Sequence, residues 1–126
     1  MADLFTTLTV SSSGMEAQAK RLRHTSENIA NADTPGYHRK TIGFQTEMDN
    51  GAVQTTKVRL DKSPLTSVYD PSNPLADETG HYDGSNVDLV VEIADAREAQ
   101  RSYEANLKIF DQARQMTASL FDLLRR

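Results

Sequence analysis

Few residues of this chain have the type and spacing that catalysis or metal binding would require. The histidines are His24, His38 and His81, and none lies three or four residues from another, the spacing that places two metal ligands on one helix face. The chain has no cysteine, which excludes disulfides, thiolate metal sites and cysteine nucleophiles. It also lacks a G-x-S-x-G nucleophile elbow and a phosphate-binding glycine loop. The sequence therefore predicts no catalytic residue, no metal site and no cofactor.

Two acidic segments contain oxygen ligands, but each has a structural explanation. The segment "DPSNPLADETG" at residues 70–80 lacks the alternating carboxylate spacing of a calcium-binding loop, and its prolines favour turns. Asp88, Glu92 and Asp95 fall close together on one face of a predicted helix. They lie near its start, where carboxylates interact favourably with the positive end of the helix dipole. We interpret the first segment as a loop and the second as a helix start.

The composition argues against nucleic acid and membrane as partners. The 126 residues carry a net charge of −4, with 14 Lys and Arg against 18 Asp and Glu, whereas nucleic-acid binders usually have a basic face. The basic cluster "KRLRH" at residues 20–24 is interrupted by Leu22. We expect it to be a solvated helix face, His24 included, or to pair with acids of a neighbouring subunit. No stretch approaches the roughly 20 apolar residues of a membrane span, and "MADLFTTLTVSSSG" does not have the pattern of a secretory signal.

Residues 3–31 are predicted to form one long helix. Leu8, Met15, Leu22 and Ile29 recur every seven residues, a repeat that keeps one apolar seam on one side of a helix. The positions beside this seam are small or polar, which suits close contact with a second helix. They are Ser11, Ser12, Gln18, Ala19, Thr25 and Ser26.

Residues 86–126 are predicted to form a second long helix, since 41 residues pass without glycine or proline. Ser85 or Asn86 is the expected N-cap, and Arg125 and Arg126 suit the negative end of the helix. Apolar residues again recur by sevens. The helix–helix and subunit contact positions that we predict on the two helices are Leu8, Met15, Leu22, Ile29, Ala99, Tyr103, Asn106, Phe110, Leu120 and Leu124.

The middle of the chain is predicted to be a small β insert. The segments 41–47 and 52–60 have short strand patterns, and Asn50-Gly51 between them is a strong hairpin signal because both residue types tolerate positive φ. After residue 60, prolines and glycines predict an extended loop. The predicted organisation is a terminal-helix domain from 1–37 and 86–126, with an insert at 38–85.

The predicted fold class is mainly α, with long N- and C-terminal helices packed as a coiled-coil hairpin and a small β-hairpin and loop insert. A compact bundle over the hairpin is the alternative, but a helix of about 41 residues would be roughly 60 Å long, too long for a compact domain of this size. A two-helix coil leaves apolar side chains uncovered, and we expect neighbouring chains to bury them. These side chains are Phe5, Ile93, Leu107 and Phe121.

The segment "NIANADTPGY" at residues 28–37 predicts where the first helix ends. Asn31 is expected to end it, since asparagine tolerates the left-handed conformation. Thr34, Pro35, Gly36 and Tyr37 fit a type II turn, with proline at the second position and glycine at the third. Tyr37 is the candidate anchor between helix and insert.

Residues 26–37, "SENIANADTPGY", closely resemble the N-terminal signature of bacterial flagellar axial proteins, the rod and hook subunits. The matching residues are Ala30, Asn31, Thr34, Gly36 and Tyr37. Residues 85–110 resemble the C-terminal helix of that family through Asn86 and Val87 and through Tyr103, Ala105 and Asn106. The short length and small insert resemble the two short proximal-rod proteins. One of these two is FlgB, and the segment at 69–80 resembles the second of them more than it resembles FlgB.

The resemblance implies a structural subunit of the proximal rod of the flagellar basal body. Such subunits assemble helically in the periplasm into the drive shaft that transmits motor torque to the hook. The implied partners are copies of the chain itself, the rod proteins FlgB, FlgF, FlgG and FliE, and the flagellar type III export apparatus, which exports these subunits without a cleaved signal peptide. The alternatives are FlgB itself, a helical binding module such as a secretion adaptor, or an enzyme, although no group of residues matches a catalytic site.

Overall fold

The structure, a computed structural model, describes residues 2–125. It has two long helices at the ends of the chain and short strands between them, which confirms the predicted mainly α fold with a small β insert. Met1 and Arg126, the first and last residues of the predicted terminal-helix domain, lie outside the described residues. The elements are α1 (Ala2–Ala30), β1 (Lys40–Thr41), β2 (Phe44–Thr46), β3 (Val53–Thr55), β4 (Arg59–Leu60), β5 (Ser67–Tyr69), β6 (His81–Asp83) and α2 (Leu89–Leu124).

The two helices pack side by side and run antiparallel. Near the end of α1, Asn28 reaches Glu92 at the start of α2. Gly14, further back in α1, lies against Asn106, further along α2. Residues whose numbers add up to about 120 therefore lie opposite each other, and α2 continues past the start of α1 by about six residues, roughly 9 Å.

The seam between the helices is built from small and polar residues. The buried positions of α1 include Ser11, Gly14 and Thr25, and those of α2 include Ala99 and Thr117. The predicted seam residues of α1 are instead half-buried along the flank of this contact. They are Leu8, Met15, Leu22 and Ile29.

The buried hydroxyl groups of the seam are satisfied within their own helices. Ser11 Oγ donates to the Thr7 carbonyl oxygen at 2.7 Å, and Thr25 Oγ1 donates to the Arg21 carbonyl oxygen at 2.8 Å. Because these hydroxyls need no partner on the other helix, small polar residues can be buried there without an unsatisfied donor. The result is a close helix contact that leaves most large apolar side chains outside it.

The insert consists of three two-stranded antiparallel sheets rather than one hairpin. β1 pairs with β4 and β2 pairs with β3, so the predicted hairpin around residues 49–51 is present. Its strands are interrupted at Gly43, whose amide donates to Thr56 Oγ1 instead of continuing the ladder. At the turn only Gly51 has a positive φ (74°). Asn50 therefore does not adopt the left-handed conformation on which the hairpin prediction was based.

The third sheet lies in the segment that composition predicts to be loop. β5 pairs with β6, with Val68 opposite Tyr82. The prediction of an extended loop is wrong here because Pro71 and Pro74 lie between the strands, where their missing amides break no ladder bond.

The start of α2 also differs from the prediction. The N-cap is Asp88, whose side chain accepts from the Val90 amide at 3.0 Å, and not Ser85 or Asn86. Those two side chains bind elsewhere: Ser85 Oγ donates to the Ala32 carbonyl oxygen, and Asn86 Nδ2 donates to the Asp61 carbonyl oxygen at 2.8 Å. The helix therefore begins after both of them.

Gly14→Val tests the close helix contact. A Cβ at Gly14 would lie 2.9 Å from Asn106 Nδ2, so a branched side chain should force the helices apart and lower the free energy of unfolding by roughly 1–3 kcal/mol. Thermal unfolding followed by circular dichroism measures this. Ser12→Val, on the exposed face of the same helix, is the matched control, and equal midpoints for the two variants would contradict the packing described.

Candidate functional site

The junction between α1 and the insert is a helix end followed by a type II turn. The Thr34 carbonyl oxygen accepts from the Tyr37 amide at 3.2 Å, and Gly36 has φ = 75°, as the sequence predicts for Thr34-Pro35-Gly36-Tyr37. No atom lies within 4 Å of a Cβ built at Gly36, so its backbone conformation and not lack of space requires glycine. The Gly36 amide also donates to the carbonyl oxygen of Gly84 at 2.9 Å, which joins this turn to the end of β6.

Asn31 does not end α1 in the predicted way. Among residues 2–125, only glycines have a positive φ. Asn31 instead continues the turn, since its amide and its Nδ2 both donate to the Glu27 carbonyl oxygen, at 3.1 and 2.8 Å. Its side-chain oxygen accepts from Thr34 Oγ1 at 3.1 Å, so Asn31 links the helix end to the type II turn through its side chain.

Asn28 is the centre of the hydrogen bonds at this junction. Its side chain is almost fully buried, with the residue 1% exposed. Asn28 Oδ1 accepts from the Tyr37 hydroxyl and from the Lys40 amide, both at 2.8 Å. Asn28 Nδ2 donates to the Lys40 carbonyl oxygen at 2.9 Å. Burial raises the pKa of Tyr37, which keeps its hydroxyl protonated as this donor.

A buried ion pair joins the insert to α2 beside Asn28. Glu92 is completely buried, and its Oε1 accepts from Arg39 Nε at 2.6 Å. Its other oxygen lies 3.3 Å from Asn28 Nδ2. Arg39 also lies 3.5 Å from Asp61 and 3.7 Å from Asp95. Burial acts to lower the pKa of Arg39, but the hydrogen bonds and charges of Glu92 and Asp61 outweigh it and leave that pKa raised.

Further ion pairs surround this buried pair. Arg21 lies 3.3 Å from both Asp95 and Glu98, so this part of the basic cluster pairs with acids of the same chain. Lys40 Nζ donates to Glu27 Oε2 at 2.8 Å, and this hydrogen bond lowers the pKa of Glu27 and raises that of Lys40. The His24 side chain is only 14% exposed, which corrects the prediction that it is solvated.

Asn86 connects the insert to the start of α2. Its Oδ1 accepts from the Arg39 amide at 2.7 Å, and its Nδ2 donates to the Asp61 carbonyl oxygen at 2.8 Å. Its own amide donates to the Tyr37 carbonyl oxygen at 3.3 Å. Two residues singled out from sequence, Tyr37 and Asn86, are therefore in direct contact, which supports the proposal that Tyr37 anchors the junction.

The central residues of the junction were not predicted as such from sequence. Glu92 was interpreted as a partner of the helix dipole, and Asn28 and Arg39 were not singled out. One signal was available for Asn28: it lies three and fourteen residues after Thr25 and Gly14, which continues the helical spacing of the buried seam. No comparable pattern marks Arg39, since its partner is 53 residues away.

A large apolar surface remains uncovered on the helices. Phe5 and Phe121 are 49% and 44% exposed, and Leu123 and Leu124, at the end of α2, are 64% and 75% exposed. Most of this end extends past α1. Of the contact positions predicted on α2, Ala99 is fully buried, Asn106 and Phe110 are half-buried, and Tyr103, Leu120 and Leu124 are exposed.

The histidines and carboxylates considered for catalysis or metal binding do not form a cluster in residues 2–125. No three His, Asp or Glu side chains within residues 2–125 could hold one metal ion. Asp70 and Asp77 in the acidic loop accept bonds from their own turns, Asp70 from the Ser72 hydroxyl at 2.6 Å and Asp77 from the Thr79 hydroxyl at 2.6 Å. The Thr79 hydroxyl is also the main cause of the lowered pKa of Asp77. Neither helix of the described chain is apolar enough along its length to cross a membrane.

Comparison with known proteins connects both halves of the chain to one kind of structure. Residues 8–38 match the family described as flagella basal body rod protein, and residues 78–123 match the family described as flagellar basal body rod FlgEFG protein C-terminal. The first range contains Asn28 to Tyr37, and the second contains Glu92.

Several relatives match nearly the whole chain. The flagellar basal-body rod protein FlgC of Agrobacterium fabrum is 45% identical, over 92% of this chain and 91% of the relative. The FlgC of Salmonella typhimurium is 34% identical, over 85% and 87% of the two chains. That of Borreliella burgdorferi is 32% identical, over 97% and 98%.

Substitutions at the buried ion pair test how the junction is held. Arg39→Met leaves Glu92 buried without a cation and should lower the free energy of unfolding by roughly 3–5 kcal/mol. Glu92→Gln should cost less, because Arg39 keeps Asp61 and Asp95 as partners and a neutral amide is cheaper to bury. Urea unfolding measures both. If Glu92→Gln lowered the free energy of unfolding as much as Arg39→Met, or more, Glu92 would not be the group that depends most on the pair.

The ion pair of Glu27 and Lys40 predicts a dependence of stability on acid. Because the pKa of Glu27 is lower in the folded chain, its contribution to stability is present above the ordinary pKa and is lost as the pH falls through the folded value. Acidification from about pH 5 to about pH 3 should lower the urea midpoint of the native chain more than that of Glu27→Gln. Glu16→Gln, an exposed position of the same helix, should keep the native pH dependence, and a native-like acid response in Glu27→Gln would contradict the assignment.

Proposed function

Because the chain belongs to the FlgC family of flagellar basal-body rod proteins, we propose that it forms the proximal part of the rod as one of several copies in a helical tube. The chain is a structural subunit of the flagellar basal body. We further propose that the tube serves as the drive shaft that transmits motor torque to the hook. In this arrangement residues 1–37 and 86–126 form the tube core, and residues 38–85 face outward.

The observation that carries this proposal is the uncovered apolar surface of a long helical hairpin. The seam between α1 and α2 buries mainly small side chains, so the hairpin alone leaves large apolar residues in water. Phe5 is 49% exposed, and Leu124 is 75% exposed. Apolar surface of this extent on a soluble chain favours association with other protein. Copies of this chain and other rod subunits would provide that cover, and contacts between unlike surfaces whose rotation does not close generate open helical arrays.

The junction suits a subunit that carries torque. A load applied to the insert reaches the helices through the chain near residues 28–40 and 86–92, and also through β3, where the Val53 amide donates to Ser13 Oγ of α1 at 2.8 Å. Here Asn28, Arg39 and Glu92 form a buried hydrogen-bonded group, and buried networks of this kind have one satisfied arrangement. We infer that this arrangement holds the insert at a fixed angle to the tube core, with Tyr37 as its anchor.

The partners and the location follow from the same family membership and are part of the proposal. They are further copies of the chain, the rod proteins FlgB, FlgF, FlgG and FliE, and the flagellar type III export apparatus, by which the subunit would reach the periplasm without a cleaved signal peptide. We assign no catalytic activity, no metal and no nucleic-acid partner. The relatives described above are FlgC proteins, which favours FlgC over FlgB and over a secretion adaptor.

The proposal predicts that charge at the exposed end of α2 blocks rod assembly without unfolding the chain. Leu124→Asp should abolish swimming and leave basal bodies without a complete rod, because it places a charge on a surface that a neighbouring subunit must bury. Electron cryo-microscopy of isolated basal bodies and motility in soft agar measure this.

The control adds the same charge to a polar position of the same helix end. Ser119→Asp, which is exposed, should swim normally, and both variants should keep the native helix content by circular dichroism. Normal swimming of Leu124→Asp would contradict burial of this surface in the rod. Absence of the native chain from the rod density would overturn the proposed function itself.

A further inference from the structure

One hairpin of the insert is acidic and partly apolar. The acidic hairpin comprises residues 67–83, that is β5, β6 and the connection between them. No lysine or arginine occurs between Lys62 and Arg97, so the hairpin itself contains no lysine or arginine to balance its carboxylates. Two of its large side chains are also exposed, Tyr69 at 66% and Leu75 at 63%.

Part of the acidic charge of this hairpin is unused within the chain. Asp70 and Asp77 hold the turns described above. Glu78 and Asp83 make no side-chain hydrogen bond or ion pair with any residue in the range 2–125. The hairpin also makes no extensive contact with either helix over this range. Its carboxylates and its two exposed apolar side chains therefore face solvent in the single chain.

A surface of the opposite character lies at the start of α2. The basic face of α2 comprises Val90, Ile93, Ala94, Arg97 and Arg101, which surround one shallow groove. Val90 is 77% exposed and Ile93 is 44% exposed. Arg97 and Arg101, one helical turn apart, have no ion-pair partner in the described part of the chain.

The one carboxylate at this groove is partly neutralised by Arg21, which it shares with Asp95. Glu98 also lines the groove, but its carboxylate pairs with Arg21 at 3.3 Å. The free charge of the basic face is therefore positive, beside exposed apolar side chains.

We propose that the acidic hairpin of one copy docks on the basic face of α2 of the next copy. Leu75 and Tyr69 would cover Val90 and Ile93, and the free carboxylates would meet the two arginines. This combination of an apolar centre with opposite charges gives both affinity and orientation. The inference rests on the proposed function, because it names one interface of the assembled rod.

The occupant is a second copy because the chain itself carries both halves of the interface. Each copy presents one acidic hairpin and one basic face, and the structure leaves both exposed and apart from each other. Because the two surfaces differ, every contact leaves a free hairpin at one end and a free basic face at the other. Such a contact continues from copy to copy, into a ring if its rotation closes and into an open series if it does not.

Disulfide cross-linking tests the contact directly, since the native chain has no cysteine. Leu75→Cys/Ile93→Cys in one chain, replacing the native protein in flagellated cells, should give disulfide-linked species larger than a dimer in isolated basal bodies. Each single variant should not exceed a dimer. Met48→Cys/Ile93→Cys is the matched control and should give no such series, because Met48 is fully exposed but lies at the turn of a different hairpin.

Charge reversal separates a specific contact from chance proximity. In the cross-linking background, Arg97→Glu/Arg101→Glu and Glu78→Arg/Asp83→Arg should each lower the yield of the series at least about tenfold, because like charges would then face each other. Co-expression of the two variants should restore it, since the reversed hairpin of one then meets the reversed face of the other. Lys57→Glu/Lys62→Glu, which reverses two exposed charges elsewhere in the insert, should leave the yield unchanged.

The outcomes distinguish this interface from the function as a whole. If the chain is present in the rod but its cysteines link only within one chain or to a different protein, the proposed interface is wrong and the rod function stands. Tyr69→Cys/Val90→Cys repeats the measurement for a second pair of positions. Absence of the series with both pairs in chains that reach the rod would overturn the proposal.

Discussion

The buried carboxylate of Glu92 is the constraint on which the rest of the structure depends. A fully buried charge is tolerated only when a cation and hydrogen-bond donors lie at good geometry, and here Arg39 and Asn28 provide them. These residues come from the insert and from the opposite helix. α1, the insert and α2 must therefore meet in one register before the charge can be buried. Breaking such a pair is expensive even when forming it contributes little, so its main effect is to exclude other registers.

The elements with a repeating pattern could be predicted, and the interactions that join them could not. The seven-residue repeats predict both helices, and Asn50-Gly51 predicts the first hairpin. Glu92 and Asn28 are polar, and from sequence a polar residue in a helix is expected to face solvent unless its partner is known. The partner of Glu92 lies 53 residues earlier in the chain, a separation at which no local pattern operates.

The errors at the helix ends have a common physical cause. Ser85, Asn86 and Asp88 are all good N-cap residues, and their intrinsic preferences do not distinguish them. The tertiary structure makes the choice, since the side chains of Ser85 and Asn86 bind the carbonyl oxygens of Ala32 and Asp61. Asp88 alone remains free to cap. Asn31 is similar: its side chain bonds to the preceding turn of α1, so the left-handed conformation is not needed.

The unequal lengths of the two helices have a consequence for the mechanics of a tube built from them. Because α2 continues past α1 by about six residues, the ends of the two helices in one subunit lie at different heights along the hairpin. When copies lie side by side, the start of α1 in one copy and the end of α2 in its neighbour are therefore staggered along the hairpin axis. In the helical tube that we propose, a cross-section at the start of α1 would therefore still cut through α2 and would not lie entirely between helix ends.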